Sequence, residues 1–96
     1  MIAEALPDVV EQETPADRKK KEQQRALILY NDDVHTFEFV ISCLVAICGH
    51  QPVQAEQCTH LVHFTGRCVV KNGTFQKLRP LCEALIERGL IARIES

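Results

Sequence analysis

Four glycines and two prolines divide the apolar part of this chain. Gly49, Gly66, Gly73 and Gly89 all fall after residue 26. Each stands at or just past the end of an apolar segment, where glycine can end a helix or turn the chain. The first segment, "ALILY" (26–30), is a short apolar run stopped by Asn31-Asp32-Asp33, which suits a central strand. Thr36 then offers a side-chain cap, and Glu38 falls in the first turn, where a carboxylate favours the helix dipole. Phe37, Val40, Ile41, Leu44, Val45, Ile47 and Cys48 recur at helical spacing, so the sequence predicts a helix over 37–48 with Gly49 as its C-terminal cap. Pro52 opens a second helix, whose apolar face is Val53, Ala55, Cys58, Leu61, Val62 and Phe64 and which ends at Gly66. "RCVV" from Arg67 reads as a strand, and Asn72-Gly73 predicts a turn. Leu78, Leu81, Cys82, Leu85 and Ile86 define a third helix, with Pro80 limiting how early it can begin and Gly89 following it. Residues 90–94, "LIARI", alternate as a last strand. The order β-α-α-β-α-β makes an α+β domain: a small three-stranded antiparallel sheet with three helices on one face.

Residues 1–25 differ. Five carboxylates (Glu4, Asp8, Glu11, Glu13, Asp17) come first, then Arg18-Lys19-Lys20-Lys21, with Pro7 and Pro15 between. Such a segment buries too little apolar area to offset its ordering entropy, so it is expected to be a flexible tail ahead of a core domain over 26–96. It lacks the long apolar core of a signal peptide, and no run reaches the ~18 apolar residues of a membrane span. The chain reads as cytoplasmic. A formal charge of −2 and the lack of tryptophan give no reason to expect nucleic acid as a partner. The five cysteines form no Cys-x-x-Cys pair and are expected to be reduced and mostly buried.

Polar residues crowd one junction, Asn31, Asp32, Asp33 and His35, more than a turn requires. A second cluster is His60-x-x-His63, with Cys58 nearby. The two histidines share a helix face, as zinc ligands must, but Cys58 and His60 point apart and no second ligand pair is spaced to complete a tetrahedron. Catalysis by Asp33 with His63, or by a cysteine, lacks a nucleophile context and an oxyanion hole. A third use needs neither metal nor nucleophile. A free α-amino group is a cation with three N–H donors, and Asn31, Asp33 and His63 are acceptors that would surround it if the second helix lies beside the Asn-Asp-Asp turn.

"LILYNDDVHTFEFV" resembles the signature of the ClpS adaptor family: an apolar strand, Asn-Asp-Asp, an aromatic residue, then Thr-Pro-Met-Glu-Phe-Val. His63 followed by Gly66 and Arg67 is similar to the family's second motif, Val-His-x-x-Gly-Lys, and "GRCVVKNGTFQKLRPLCEALIERGLIARIE" is similar to its shorter-looped branch. The resemblance covers about residues 26–95. It implies a non-enzymatic adaptor that needs no cofactor. Such adaptors bind proteins whose first residue is Leu, Phe, Tyr or Trp (N-degrons) and deliver them to a Clp-family AAA+ unfoldase, which an N-terminal extension engages. Carried over by position, Asn31, Asp33 and His63 hold the α-amino group and Asp32 belongs to the same motif. Phe37, Val40, Thr59, Val62 and Leu90 form the pocket for the first side chain.

The chain departs from the family pattern in several places. His35 stands in the place of the motif's Thr, Thr36 in that of Pro, and Phe37 in that of Met. Thr59 replaces a second pocket Met, and the loop after the second strand lacks the Glu and Lys that longer-looped members use against the unfoldase. These departures bear on side-chain preference and unfoldase docking. A ClpS-fold paralogue serving another partner, a small hydrolase, and a metal site at His60 and His63 remain as alternative readings.

Overall fold

A computed structural model describes residues 24–96. Its elements are β1 (Gln24–Tyr30), α1 (Phe37–Cys48), α2 (Pro52–Thr65), β2 (Arg67–Thr74), α3 (Phe75–Glu87) and β3 (Ile91–Glu95). The expected order and class hold: one antiparallel sheet, in spatial order β2-β1-β3, with the helices on one face. Most of the segment expected to be a tail lies outside the described residues. β1 begins at Gln24, before Ala26, because Gln24 and Arg25 are drawn into the ladder opposite Thr74 and Gly73. Among the described residues no helix is long and apolar enough to cross a membrane.

The first two helices end where the sequence sets them. Thr36 Oγ1 accepts from the Phe39 N–H at 3.1 Å, and Gly49 closes α1 in the left-handed conformation at φ 72°. α2 starts on Pro52 and is closed by Gly66 at φ 95°, whose N–H donates to the Val62 carbonyl. Two expectations for the second half are corrected. Asn72-Gly73 is not a turn: it continues β2, pairing with Ala26 and Arg25, and the chain passes from Thr74 straight into α3. Thr74 caps that helix, its hydroxyl accepting from the Lys77 N–H. Pro80 therefore lies inside α3 rather than near its start. Pro80 and Gln76, whose carbonyl the missing N–H would have served, are both exposed, so water can take that bond.

Leu27 and Leu29 of β1 point into the core formed with Cys43 and Leu44 of α1, Ala55 and Val62 of α2, and Leu78 and Leu85 of α3. Ile28 points the other way yet is only 3% exposed. Tyr30, two residues on and thus on the same face, bonds its hydroxyl to the Glu95 carboxylate, and Arg67 and Arg93 each stand 5.9 Å from its ring centre. The tyrosine ring and the two guanidinium groups thus stand together on the helix-free face, where Val69 and Ile91 stay exposed. The Glu95 hydrogen bond, with desolvation, raises the Tyr30 pKa.

β2 carries a bulge. Leu27 pairs with Lys71 and Ile28 with Val69, which leaves Val70 as the extra residue. Its carbonyl is taken by a buried imidazole, with His50 Nε2 lying 2.6 Å away. A carbonyl only accepts, so Nε2 carries the proton. Lys71 Nζ reaches back to the Cys48 carbonyl at the end of α1, at 3.2 Å. The α1–α2 connection is therefore pinned to the bulge on both sides.

Four cysteines are buried and Cys68 is partly so. Burial pushes the Cys48 thiol up to about 11, and burial with the neighbouring Cys58 thiol pushes Cys68 up to about 12. Both are thiols at neutral pH, which is not the state of a nucleophile.

Candidate functional site

The polar junction and the end of α2 meet through one backbone bond. The Asn31 N–H donates to the Gly66 carbonyl at 2.9 Å. Asn31 follows β1 and Gly66 follows α2, so this bond sets the Asn-Asp-Asp turn beside the helix end that carries His63. A cleft opens there, lined by Leu29, Tyr30, Asn31, Asp32, His35, Phe37, Val40, Thr59, Val62, His63 and Leu90. It encloses about 340 Å³, open solvent at its mouth included. That is the low end of the range of ligand pockets, room enough for one large side chain.

Eight of the nine residues assigned from the sequence line this cleft: Asn31, Asp32, His63, Phe37, Val40, Thr59, Val62 and Leu90. Asp33 does not line it and is exposed. Tyr30, Leu29 and His35 line it without having been assigned.

Floor and rim differ in chemistry. Val40, Thr59, Val62 and Leu90 are buried. The Thr59 hydroxyl donates to the Ala55 carbonyl at 2.7 Å, so the polarity of that side chain is spent on its own helix. Phe37 is wedged between two imidazoles, its ring centre 5.0 Å from His60 and 5.1 Å from His63, both edge-on. It is a rigid wall where a methionine would be an adaptable one.

At the rim, Asp32 Oδ1 accepts from three donors: the backbone N–H of Val34 at 2.9 Å, that of His35 at 3.0 Å, and His35 Nδ1 at 3.0 Å. Partial burial pushes the Asp32 carboxyl up. The Val34 N–H and the ring and backbone donors of His35 outweigh it and hold the group below its ordinary value of 3.8. With a carboxylate accepting at Nδ1, that nitrogen carries the proton. The His35 ring also stacks on Phe39, centres 4.8 Å apart, and lies against Gly89. A Cβ on Gly89 would come within 3.2 Å of the ring, and φ there is +88°, so the position needs glycine on both counts.

A depressed carboxylate pKa sets a sign for stability. The Asp32 bonds contribute fully above the unfolded value near 3.8 and are lost as the pH falls through the lower folded value. Asp32→Asn is expected to flatten the acid limb of the stability profile below pH ~4, which denaturant melts at stepped pH will read. An unchanged acid limb would remove Asp32 from that account.

No three His, Cys, Asp or Glu side chains converge as a metal site among the described residues. His60 and His63 instead pack with phenylalanines.

The chain is similar to known proteins. Residues 20–91 match the family model described as ATP-dependent Clp protease adaptor protein ClpS. The chain is 30% identical over 86 residues to the ATP-dependent Clp protease adapter protein ClpS of Thermosynechococcus vestitus, covering 88% of this chain and 92% of that one. Its fold is similar to that of Agrobacterium tumefaciens ClpS2 bound to L-phenylalaninamide, with a TM-score of 0.70 at 24% identity, over 76% of this chain and 95% of that one. The cleft between the Asn-Asp-Asp turn and the end of α2 thus sits in a chain that belongs to the ClpS family of Clp protease adaptors.

Proposed function

We propose that this adaptor binds substrates by their first residue, taking the free α-amino group at the rim of the cleft and a large apolar side chain in its floor, and delivers them to a Clp-family AAA+ unfoldase. The observation that carries this reading is the convergence of Asn31 and His63 beside an apolar pit, held together by the Asn31–Gly66 bond. Asn31 offers an amide oxygen and His63 an imidazole nitrogen, and Asp32 lends negative charge from the same rim. Asp33, exposed beside them, acts from the mouth and attracts the cation through solvent. The ligand of the Agrobacterium protein, an amino-acid amide with a free amine and a benzyl side chain, has the chemistry this cleft would accept. The experiment is a titration with labelled peptides that differ only in their first residue, each with its N-acetylated twin. Tight binding of the Leu, Phe, Tyr or Trp peptide with a free amine supports the proposal, and equal binding of the acetylated twins defeats it.

Thr59 gives this pocket its own selectivity. It is buried and its hydroxyl is engaged, so it leaves space where a longer side chain would reach. Thr59→Met is expected to fill that space and reorder the preference among Leu, Phe, Tyr and Trp. A misfit of one methylene in such a pocket is worth about 1–3 kcal/mol. The same peptide panel on both proteins checks this; an identical ranking would show that Thr59 does not shape the pocket.

A further inference from the structure

Phe37 forms one wall of the cleft, yet its side chain is only half-buried. Partly exposed side chains change rotamer within picoseconds to nanoseconds unless their neighbours block the motion. The neighbours here come from one face of α2, where His60, His63 and Phe64 stand at positions i, i+3 and i+4. The Phe37 ring centre lies 5.0 Å from that of His60 and 5.1 Å from that of His63, at interplanar angles of 85° and 71°. Phe64 in turn touches both imidazoles. It is stacked on His60 with centres 6.0 Å apart and planes 4° from parallel, and it meets His63 edge-on at 4.9 Å. The four rings close a circuit.

The two imidazoles are not equivalent. His63 lines the cleft together with Phe37, whereas His60 and Phe64 do not. His60 therefore meets the Phe37 ring from outside the cleft. Phe64 is 74% exposed, so its ring gains little from burial, and its contacts with the imidazoles are what it contributes. His60 is exposed as well, so neither side chain supports the core.

We infer that His60, braced by Phe64, is a positioning residue that holds the Phe37 ring in place from outside the cleft and so limits the size of the first side chain the pit admits. The inference rests on the proposed first-residue reading and deepens it. Without His60, the Phe37 ring loses its contact on that side and can turn into the space the imidazole leaves. The pit then widens. A wide first side chain such as Trp gains from that, and Leu, which fits without it, does not.

The test uses the full chain and two fluorescent peptides that differ only in a first Trp or Leu, each with its N-acetylated twin. The quantity read is the ratio of the two affinities within one protein, in which any effect of a variant on the amine acceptor His63 cancels. His60→Ala is expected to shift that ratio towards Trp by about 2–10-fold, the range one aromatic pair supplies. Phe64→Ala should shift it the same way and by less. His60→Phe keeps a ring against Phe37 and should retain the wild-type ratio, which a loss of general stability would not explain. Val53→Ala, at an exposed apolar position on the same helix, should also leave it unchanged. NMR order parameters of the Phe37 ring should fall in His60→Ala and recover in His60→Phe. A His60→Ala protein with the wild-type ratio, or a His60→Phe protein that shifts as His60→Ala does, overturns the positioning role while the amine requirement stands. Equal binding of the acetylated twins by wild type overturns the first-residue reading, and this role with it.

Discussion

Asn31→Ala is expected to weaken binding of a Leu-first peptide at least tenfold while leaving the fold in place. A hydrogen bond to a charged group contributes about 1.5–3 kcal/mol, and 1.4 kcal/mol is a factor of ten in affinity. The loss falls on binding because Asn31 is anchored by its backbone: the N–H that reaches Gly66 survives the substitution. His63→Ala should cost a comparable amount, although it also removes a neighbour of Phe37. Asp33→Ala should cost less, and its effect should shrink as salt is raised, because its carboxylate is exposed and acts through screened solvent. Fluorescence anisotropy at two ionic strengths separates the three variants. An Asn31→Ala protein that binds as wild type does would move the amine elsewhere.

The largest expected loss of stability comes from a residue outside the cleft. His50→Ala removes the donor that satisfies the Val70 carbonyl at the β2 bulge, in a site where His50 is 5% exposed. An orphaned buried acceptor costs about 1–3 kcal/mol. In a domain of this size each kcal/mol lowers the melting temperature by roughly 4–8 °C. A fall of about 8–16 °C is the central expectation, for a loss of about 2 kcal/mol. His50→Gln keeps an N–H donor and should recover part of it. Calorimetry on the three proteins decides the matter: equal melting of wild type and His50→Ala would mean that Val70 finds another partner.

His50 was not legible in the sequence, for a definite reason. A bulge is a property of two strands in register, and neither "LILY" nor "RCVVKNG" announces it alone. The same cause misleads at Asn72-Gly73. The dipeptide favours a turn wherever the chain needs one, but here β2 feeds a helix capped by Thr74, and pairing with Arg25 and Ala26 decides the conformation. Pro80 misleads because its cost depends on whether the released carbonyl faces water, which is a tertiary fact. By contrast, α1 and α2 are readable to the residue, since Thr36, Gly49, Pro52 and Gly66 each fix local backbone geometry by their own chemistry. In the site, Phe37, Val40, Thr59, Val62 and Leu90 come from the resemblance carried over position by position, and all five line the cleft. The resemblance cannot say which of two adjacent carboxylates turns inward. Asp32 does, because three donors lie within its reach, and His35, which supplies two of them, shows in the sequence as one of the crowded polar residues but not as the partner of Asp32.

The sheet order has a consequence for how the chain is made. β1 lies in the centre of the sheet, yet it precedes both of its neighbours in sequence, and its second partner is Ile91–Glu95. During synthesis "ALILY" therefore leaves the ribosome long before the strand that closes its second edge. Until then a strand with a largely apolar centre has an unpaired row of N–H and C=O groups, the usual template for unwanted pairing with another chain. Strand pairs so far apart in sequence also close slowly. Translation that stalls between α3 and β3 would yield a chain with a bulge, three helices and an open seam, more prone to self-association than a chain halted before β1 begins.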